Sequence, residues 1–253
     1  LMLWQIYARI PAVYRRPIRQ WAGVMARGME RSHNPYATDF FFNHGDIRLP
    51  CEEADYNLYC FYVAGTVGRM ITELAIRFYG VRGEPAKLMI DGSEAAGRAL
   101  QKTNIVKDFA KDLQRGVCFL PAEWMQEIDY APLALEGVPD EWKRQVLRNV
   151  LAELEDSVQY VLALPPTALG YRKAGLLMML PAYETILLAA QRLPDLFTPK
   201  HAVKISRTKM GQCLLRARKM ATDNAAIEAY AEEMSRQIES ELCRAVSGVP
   251  CAS

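Results

Sequence analysis

The amino-acid sequence predicts an all-α protein. Nearly every long segment between proline and glycine breaks repeats its apolar residues with the period of a helix. No segment shows an alternating pattern that could build a β-sheet. The chain has 253 residues, of which 51% are hydrophobic and 24% charged, as is typical of a folded protein with a sizeable core. We therefore expect a single helical domain over residues 1–253, with six or seven main helices.

The first half of the chain contains three long predicted helices. An amphipathic helix spans Arg16–Arg31, and a longer apolar-rich helix spans Ala54–Tyr79. Two glycines come directly after the second helix. The third helix, Glu84–Leu113, stops before Gly116 because glycine readily adopts the left-handed conformation that ends a helix. A short helix is then expected over Ala122–Glu127.

The second half continues the helical pattern. Further helices are predicted over Pro139–Leu164 and Tyr171–Arg192, each bounded by proline-containing breaks. Thr198–Pro199 fits the N-cap and first position of another helix. The last helix is capped by Asp223 and is expected to run to about Val246.

Composition excludes several classes of function. A net charge of +2 gives no support for nucleic-acid binding. Six cysteines, none in C-x-x-C spacing, and only three histidines argue against a zinc site and a disulfide framework. A cytoplasmic location with reduced thiols is expected.

The most apolar stretch of the chain is Ala174–Ala190. Pro181 and Glu184 are expected to interrupt it, so it is not predicted to span a membrane. Met178 and Met179, which lie within it, are expected to fill the core.

One face of the third predicted helix carries a line of polar residues. Counted from Gln101, the residues Asn104, Asp108 and Asp112 come at positions +3, +7 and +11. At ~100° per residue they fall within ~80° of one another. The flanking lysines, Lys102, Lys107 and Lys111, allow the simpler interpretation of a solvated surface face.

A functional interpretation rests on the chemistry of the same groups. Two carboxylates one turn apart suit Mg²⁺, which prefers oxygen ligands and often shares them with the phosphates of a substrate. Lys107 and Arg115 could contact those phosphates directly. This line therefore predicts a site for Mg²⁺ that is shared with the phosphates of a substrate.

The preceding predicted helix has a wall of apolar and small residues. Four of its residues repeat every four positions, namely Tyr59, Val63, Val67 and Ile71. Gly65 and Gly68 lie among them, and each glycine costs about 1 kcal/mol relative to alanine inside a helix. Two explanations stay open, a close helix crossing and a channel wall kept open by small side chains.

Two blocks at matching spacing resemble the squalene/phytoene synthase family. The first is YCFYVAGTVG, residues 59–68, and the second is QKTNIVKDFAKDLQRGVCFLP, residues 101–121. A third block, LFTPKHAVKISR, residues 196–207, is similar to the squalene synthase branch. The resemblance extends from about Arg16 to Arg218.

The resemblance implies a fold and an activity. The fold is an isoprenoid-synthase-type helical bundle around a central cavity. Members of the family join two prenyl diphosphates head to head through a cyclopropyl intermediate. Two aspartate-rich motifs hold Mg²⁺ and diphosphate, and the squalene branch then reduces the intermediate with NADPH.

The resemblance also implies roles for individual residues. Asp108 and Asp112 would be the second aspartate pair and, with Asn104, the metal ligands. Tyr59 would act with this pair as a catalytic residue that steers proton or cation chemistry. The remaining implied contacts are with the prenyl chain or the diphosphate, from Val63, Val67, Ile71, Gln101, Lys107, Arg115, Lys204 and Arg207.

Three features depart from the family pattern. The chain has no second D-x-x-x-D, so the first aspartate motif is expected on helices that precede Leu1. Val117 stands where the family commonly has an arginine, with Arg115 as the nearest substitute. Before Pro181 the run Leu176–Met179 replaces an Asn-Phe-Cys-type run. This replacement weakens the case for NADPH, which stays open as a second cofactor.

Several functions remain as alternatives. The first is Mg²⁺-dependent condensation of farnesyl diphosphate to squalene or dehydrosqualene. The VKISR block favours these products. Phytoene synthesis from geranylgeranyl diphosphate is the runner-up. A non-catalytic relative acting as an assembly or scaffold factor, or a plain helical interaction module, is the alternative outside catalysis. An apolar product would imply peripheral membrane contact, while chain length and oligomeric state stay open.

Overall fold

The computed structural model describes residues 2–125, 138–198 and 203–244. Most of these residues are helical, which confirms the all-α prediction. The α-helices in these ranges are α1 Met2–Arg9, α2 Ala12–His33, α3 Glu53–Cys60, α4 Thr66–Tyr79, α5 Glu84–Leu113, α6 Ala122–Met125, α7 Asp140–Ala163, α8 Leu169–Gln191, α9 Arg207–Met220 and α10 Asn224–Arg244.

A small β-hairpin corrects the expectation of a chain without strands. Strands β1, Phe41–His44, and β2, Ile47–Pro50, pair antiparallel around a two-residue turn. Gly45 occupies the turn with a φ of +57°, a conformation that glycine adopts without strain. The dipeptide Gly45–Asp46 between two short runs is a recognised hairpin signal. The pairing is too short to show an alternating pattern, which explains why the pattern alone missed it.

The predicted helix Ala54–Tyr79 is divided into two by a π-helical turn. Helix α3 ends at Cys60, the turn covers Phe61–Gly65, and α4 begins at Thr66. A π-turn adds one residue to the helical repeat and rotates the helix that comes after it. Tyr59 therefore no longer shares a continuous four-residue repeat with the residues of α4. Such turns often occur at functional sites.

Helix α5 is central and packs against α4, α7 and α8. Its crossing with the π-turn and α4 is close. A Cβ on Gly68 would lie 2.2 Å from the carbonyl oxygen of Ser93, and one on Gly97 would lie 2.4 Å from that of Ala64. The glycines are therefore required by the helix crossing, which supports the first of the two explanations offered by the sequence.

The second half agrees with the predicted helices with one clear difference. The next helix after the Thr198 break within the described ranges begins at Arg207 and is capped by Ser206, whose Oγ accepts a hydrogen bond from the Lys209 amide at 3.0 Å. Thr198 instead donates to the Asp195 carbonyl at 2.7 Å, and Pro199 lies outside the described residues. Asp223 caps α10 as expected, accepting from the Ala226 amide at 3.0 Å.

Helix α8 continues through Pro181 and Glu184, which corrects the expectation that these two residues interrupt it. The helix has 23 residues, and its most apolar 18-residue window has a mean hydropathy of 1.3, so the helix matches a membrane span in length and composition. However, 67% of that apolar window is buried inside the fold. The core helix of a folded domain meets the same criteria, so the helix is weak evidence for a membrane span.

Candidate functional site

Two residues of the polar line predicted on α5 contact the same cation. The Lys107 ammonium lies 3.0 Å from Asn104 Oδ1 and 3.0 Å from Asp108 Oδ2. The Asn104 side chain is exposed, and Asp108 is 42% exposed. An amide oxygen and a carboxylate oxygen one turn apart can thus contact one positive charge from the same side of the helix.

Asp112 lies one turn further along α5 in a less polar environment. Burial raises the pKa of its carboxyl group above the usual value, and the nearby charge of Asp108 raises it further. The guanidinium of Arg115, 3.8 Å away, acts in the opposite direction. The two carboxylates are therefore close enough to repel each other, which favours a bound cation between them.

Tyr59 lies near Asp112 at the carboxyl end of α5. Its ring stacks on Phe119 with centroids 4.6 Å apart and meets the edge of Phe41 at 5.5 Å. Burial raises the pKa of the Tyr59 hydroxyl, and the charges of Cys60 and Asp112 add to this effect. The aromatic partners come from the hairpin and from the segment after Gly116, so sequence periodicity could not identify them.

An apolar cavity of about 200 Å³ lies beside the crossing of α4 and α5 and is also lined by Tyr160 of α7 and Met178 of α8. It is lined by three predicted tunnel residues, Val63, Val67 and Ile71, and by the amides Gln101 and Asn104. Gln101 and Asn104 belong to the same polar line as Asp108, so the polar line begins at one end of the apolar cavity. The structure brings together here five of the residues that the sequence singled out.

A second cavity of about 410 Å³ adjoins the first. Leu100, Asn104 and Met178 line both cavities. Two cations, Lys107 and Lys204, line the second cavity at its polar side. Met178 therefore stands between two cavities instead of simply filling the core, a position that the sequence does not reveal.

Other predicted residues are less closely associated with the cavities. Asp108 and Lys107 border a smaller space of about 180 Å³ beside Phe197. Arg207 is exposed at the start of α9 and lines none of the cavities described above. Arg115 is 64% exposed and is joined to the site through Asp112.

Lys102 does not flank the site, contrary to the sequence interpretation. It is 2% exposed and points to the opposite side of α5, where its ammonium lies 2.8 Å from Glu153 and 2.9 Å from Asn149 Oδ1. Arg98 also binds Glu153, at 2.7 Å. This buried network is structural, because charges in the interior need partners.

The oxygen donors of α5 suit a metal that is shared with a substrate. Among the described residues there is no group of three or more His, Cys, Asp or Glu side chains that could hold a metal by itself. Mg²⁺ commonly takes only one or two carboxylates and completes its shell with water and substrate phosphates. Asp108, Asp112 and the Asn104 oxygen fit this second type of site, in which the metal binds together with a diphosphate.

The fold and the site define a class: an all-α protein with two adjoining cavities lined by Asn104, which lies one turn before the carboxylate of Asp108 on the same helix. The sequence comparison then identifies the family. The model of the squalene/phytoene synthase family matches residues 2–209, and the chain belongs to that family.

Curated relatives include both branches of the family. The chain is 29% identical over 178 residues to a phytoene synthase of Thermus thermophilus, covering 67% of this chain and 57% of that protein. It is 37% identical over 118 residues to a squalene synthase of Ganoderma lucidum, covering 46% and 23%. It is 33% identical over 119 residues to a bifunctional lycopene cyclase/phytoene synthase of Arthroderma gypseum. That match covers 46% of this chain and 20% of that protein.

The chain therefore spans between one fifth and just over half of the length of these relatives. A solved structure, described as the complex of TcSQS with the ligand E5700, superposes with a TM-score of 0.65 at 22% identity. The match covers 94% of this chain and 72% of that chain. At this identity the match establishes the shared fold.

Proposed function

We propose that this chain contributes to the Mg²⁺-dependent head-to-head condensation of two prenyl diphosphates. The observation that carries the proposal is the pair of adjoining cavities that share Asn104, next to the carboxylates of α5. Two apolar chains would occupy the two cavities, and their diphosphates would meet the polar line. Family membership supports this reaction class.

The diphosphate would be bound by charges at the polar side of the cavities. Asp108, Asp112 and Asn104 would hold Mg²⁺, which neutralises the charge that develops on the leaving diphosphate. Lys107 now bridges Asn104 and Asp108, and on metal binding its ammonium would be released to contact a phosphate oxygen. Lys204 would supply a second cation from the opposite wall.

The apolar cavity would protect the reactive part of the substrate. Loss of diphosphate leaves an allylic carbocation, which water would quench. Val63, Val67 and Ile71 line the space with groups that cannot act as nucleophiles. Exclusion of water also strengthens the electrostatic interactions at the mouth of the cavity.

Tyr59 would act at the carboxylate end of the site. Its raised pKa keeps the hydroxyl protonated. A neutral hydroxyl near Asp112 can donate a hydrogen bond to a departing phosphate oxygen and so stabilise the charge that develops there. This chemistry supports its assignment as a catalytic residue.

The substrate within the class is proposed to be farnesyl diphosphate, with squalene or dehydrosqualene as product and NADPH as the reductant in the squalene case. The VKISR segment, which supplies Lys204, supports this choice. Phytoene synthesis from geranylgeranyl diphosphate is the second candidate, because phytoene synthases are among the relatives. A cytoplasmic location with peripheral membrane contact would suit an apolar product.

The test is Mg²⁺-dependent binding of a prenyl thiodiphosphate, an analogue that binds without ionising. Asp108→Asn and Asp112→Asn are expected to remove the Mg²⁺-dependent part of the affinity while circular dichroism and the urea midpoint stay near those of the unmodified chain. Glu155→Gln, an exposed carboxylate of α7 beside another cavity, is the matched control. Metal-dependent binding that survives both aspartate changes would refute the site, whereas no Mg²⁺-dependent binding by the unmodified chain would favour a non-catalytic role.

A further inference from the structure

The apolar cavity has a defined deep end. Gly68 lies against Ser93 and Gly97 against Ala64, so α4 and α5 run antiparallel along the cavity. Asn104 consequently lines one end, and Ile71 lines the other. The residue at the Ile71 end that belongs to neither helix is Tyr160 of α7.

Three hydroxyl groups meet behind this end. The Tyr160 hydroxyl lies 2.8 Å from Thr72 Oγ1 and 2.5 Å from the Tyr171 hydroxyl. Thr72 is fully buried and comes directly after Ile71, while Tyr171 comes from the first turn of α8. The three hydroxyls satisfy one another, so no polar atom of this group needs a partner in the cavity.

The backbone at Tyr160 is equally constrained. A Cβ on Gly92 would lie 2.9 Å from Cβ and 3.0 Å from Cα of Tyr160, so α5 and α7 are in direct contact here. Tyr160 is 2% exposed. A side chain held at its backbone by one helix and at its hydroxyl by two others cannot move aside without breaking this packing.

We propose that Tyr160 is the floor of the prenyl cavity and sets the longest chain that the cavity accepts. Thr72 and Tyr171 are positioning residues that hold the ring of Tyr160 in place. The inference rests on the proposed function only for the identity of the chain, since the floor would limit any linear apolar ligand. The predicted specificity therefore comes from a contact among four helices, α4, α5, α7 and α8.

The geometry sets the scale of this limit. Asn104 comes 12 residues after Gly92 on α5, which corresponds to ~18 Å at ~1.5 Å per residue. Each methylene that the cavity buries is expected to improve affinity by about fourfold. A chain that reaches Tyr160 gains nothing from a further methylene, because a closely packed wall does not yield to added volume.

Two series of ligands test the floor on this chain. The first is prenyl thiodiphosphates of increasing length with Mg²⁺, and the second is neutral n-alkyl alcohols of increasing length. Dissociation constants are measured by calorimetry for each member. The unmodified chain is expected to show affinity that rises with length and then stops rising at a cut-off common to both series.

Variants should move the cut-off in opposite directions. Tyr160→Leu is expected to lengthen the cut-off, and Ile71→Phe is expected to shorten it. In Thr72→Val the affinity should stop rising gradually with ligand length instead of at one length. Thr72→Ser, which retains the hydroxyl, should keep the cut-off of the unmodified chain. Tyr183→Leu is the matched control, because Tyr183 is also a fully buried tyrosine but lines a different cavity.

The outcomes separate the floor from the proposed function. A cut-off that moves as described in either series supports the assignment of Tyr160 as the floor. This holds even if the diphosphates fail to bind and the proposed function is refuted. Diphosphate binding with a cut-off unchanged in Tyr160→Leu and Ile71→Phe overturns the floor and leaves the function standing. Absence of a cut-off in both series, or an equal shift in Tyr183→Leu, also overturns it.

Discussion

Lys102 and Lys107 lie five residues apart on α5 but occupy opposite environments. The Lys102 side chain is 3% exposed and pairs with Glu153, whereas the Lys107 side chain is 34% exposed and pairs with Asp108. Five residues correspond to ~140° of helical rotation, so the two lysines face different sides. One side faces α7, and the other borders the cavities.

The contrast shows how one helix can serve both stability and binding. Charges on the buried side are locked to partners, since an unpaired charge in the interior is costly. Charges on the cavity side are only partly neutralised and remain accessible to a ligand. The buried lysine should therefore control stability, and the exposed lysine should control binding.

The largest expected effect is the loss of folding stability when Lys102 is replaced. Lys102→Met should destabilise the fold by about 3 kcal/mol, at the lower end for a broken buried pair because Arg98 still neutralises Glu153. Lys107→Met should change stability by no more than about 0.5 kcal/mol. Urea unfolding of both variants measures the difference, and equal losses would contradict the assignment of the two sides.

A second prediction concerns a substitution that should lower activity while leaving folding stability nearly unchanged. Tyr59→Phe retains the ring stacked on Phe119, so the urea midpoint should change little. Product formation by an active form of the protein should fall about 100-fold through kcat if the hydroxyl donates a hydrogen bond to the departing diphosphate. A KM that changes by less than about twofold would distinguish this result from lost binding. A parallel loss of kcat and affinity would instead indicate a packing role.

The buried charges also lead us to expect that folding stability depends on pH in the acidic range. Burial raises the pKa of Glu153, but the hydrogen bond from Arg98 and the charge of Lys102 outweigh it and leave the pKa below its usual value. A depressed carboxyl pKa stabilises the fold above the unfolded pKa, and this stability is lost as pH falls through the folded pKa.

Removal of the buried cation should alter this profile. In Lys102→Met the pKa of Glu153 should rise, so the acid loss of stability should begin at higher pH than in the unmodified chain. The difference should be about 1.4 kcal/mol or less, the free energy of one pKa unit. Urea midpoints between pH 3 and 6 measure it, with Lys107→Met as the control that keeps the original profile.

The smallest expected effect is a shift in the pKa of Asp112, on the side of α5 that borders the cavities. The raised pKa of Asp112 means that its ionisation opposes folding, so its effect on stability appears as pH rises from the unfolded pKa through the folded one. Asp108→Asn should lower this pKa, and Arg115→Gln should raise it. NMR titration of the Asp112 carboxyl carbon reports both, and shifts of the same sign would refute the proposed charge arrangement.

Local signals recovered most of the helices because each depends on nearby residues. The cap at Asp223 and the extent of α5 agree with prediction. The hairpin was missed because it rests on four-residue strands, one of which joins the chain near Val117 through a parallel bridge. The π-turn at Phe61–Gly65 was also missed, since its close crossing with α5 involves residues far along the chain.

The sequence by itself determined the helical class, the family resemblance and the single face that carries Asn104, Asp108 and Asp112. These properties result from spacing along one helix. Only the tertiary structure decided that Lys102 is buried, that Met178 lines two adjoining cavities and that Tyr160 lines one of them. These properties depend on distances between side chains of different helices, which the order of residues along one helix does not specify.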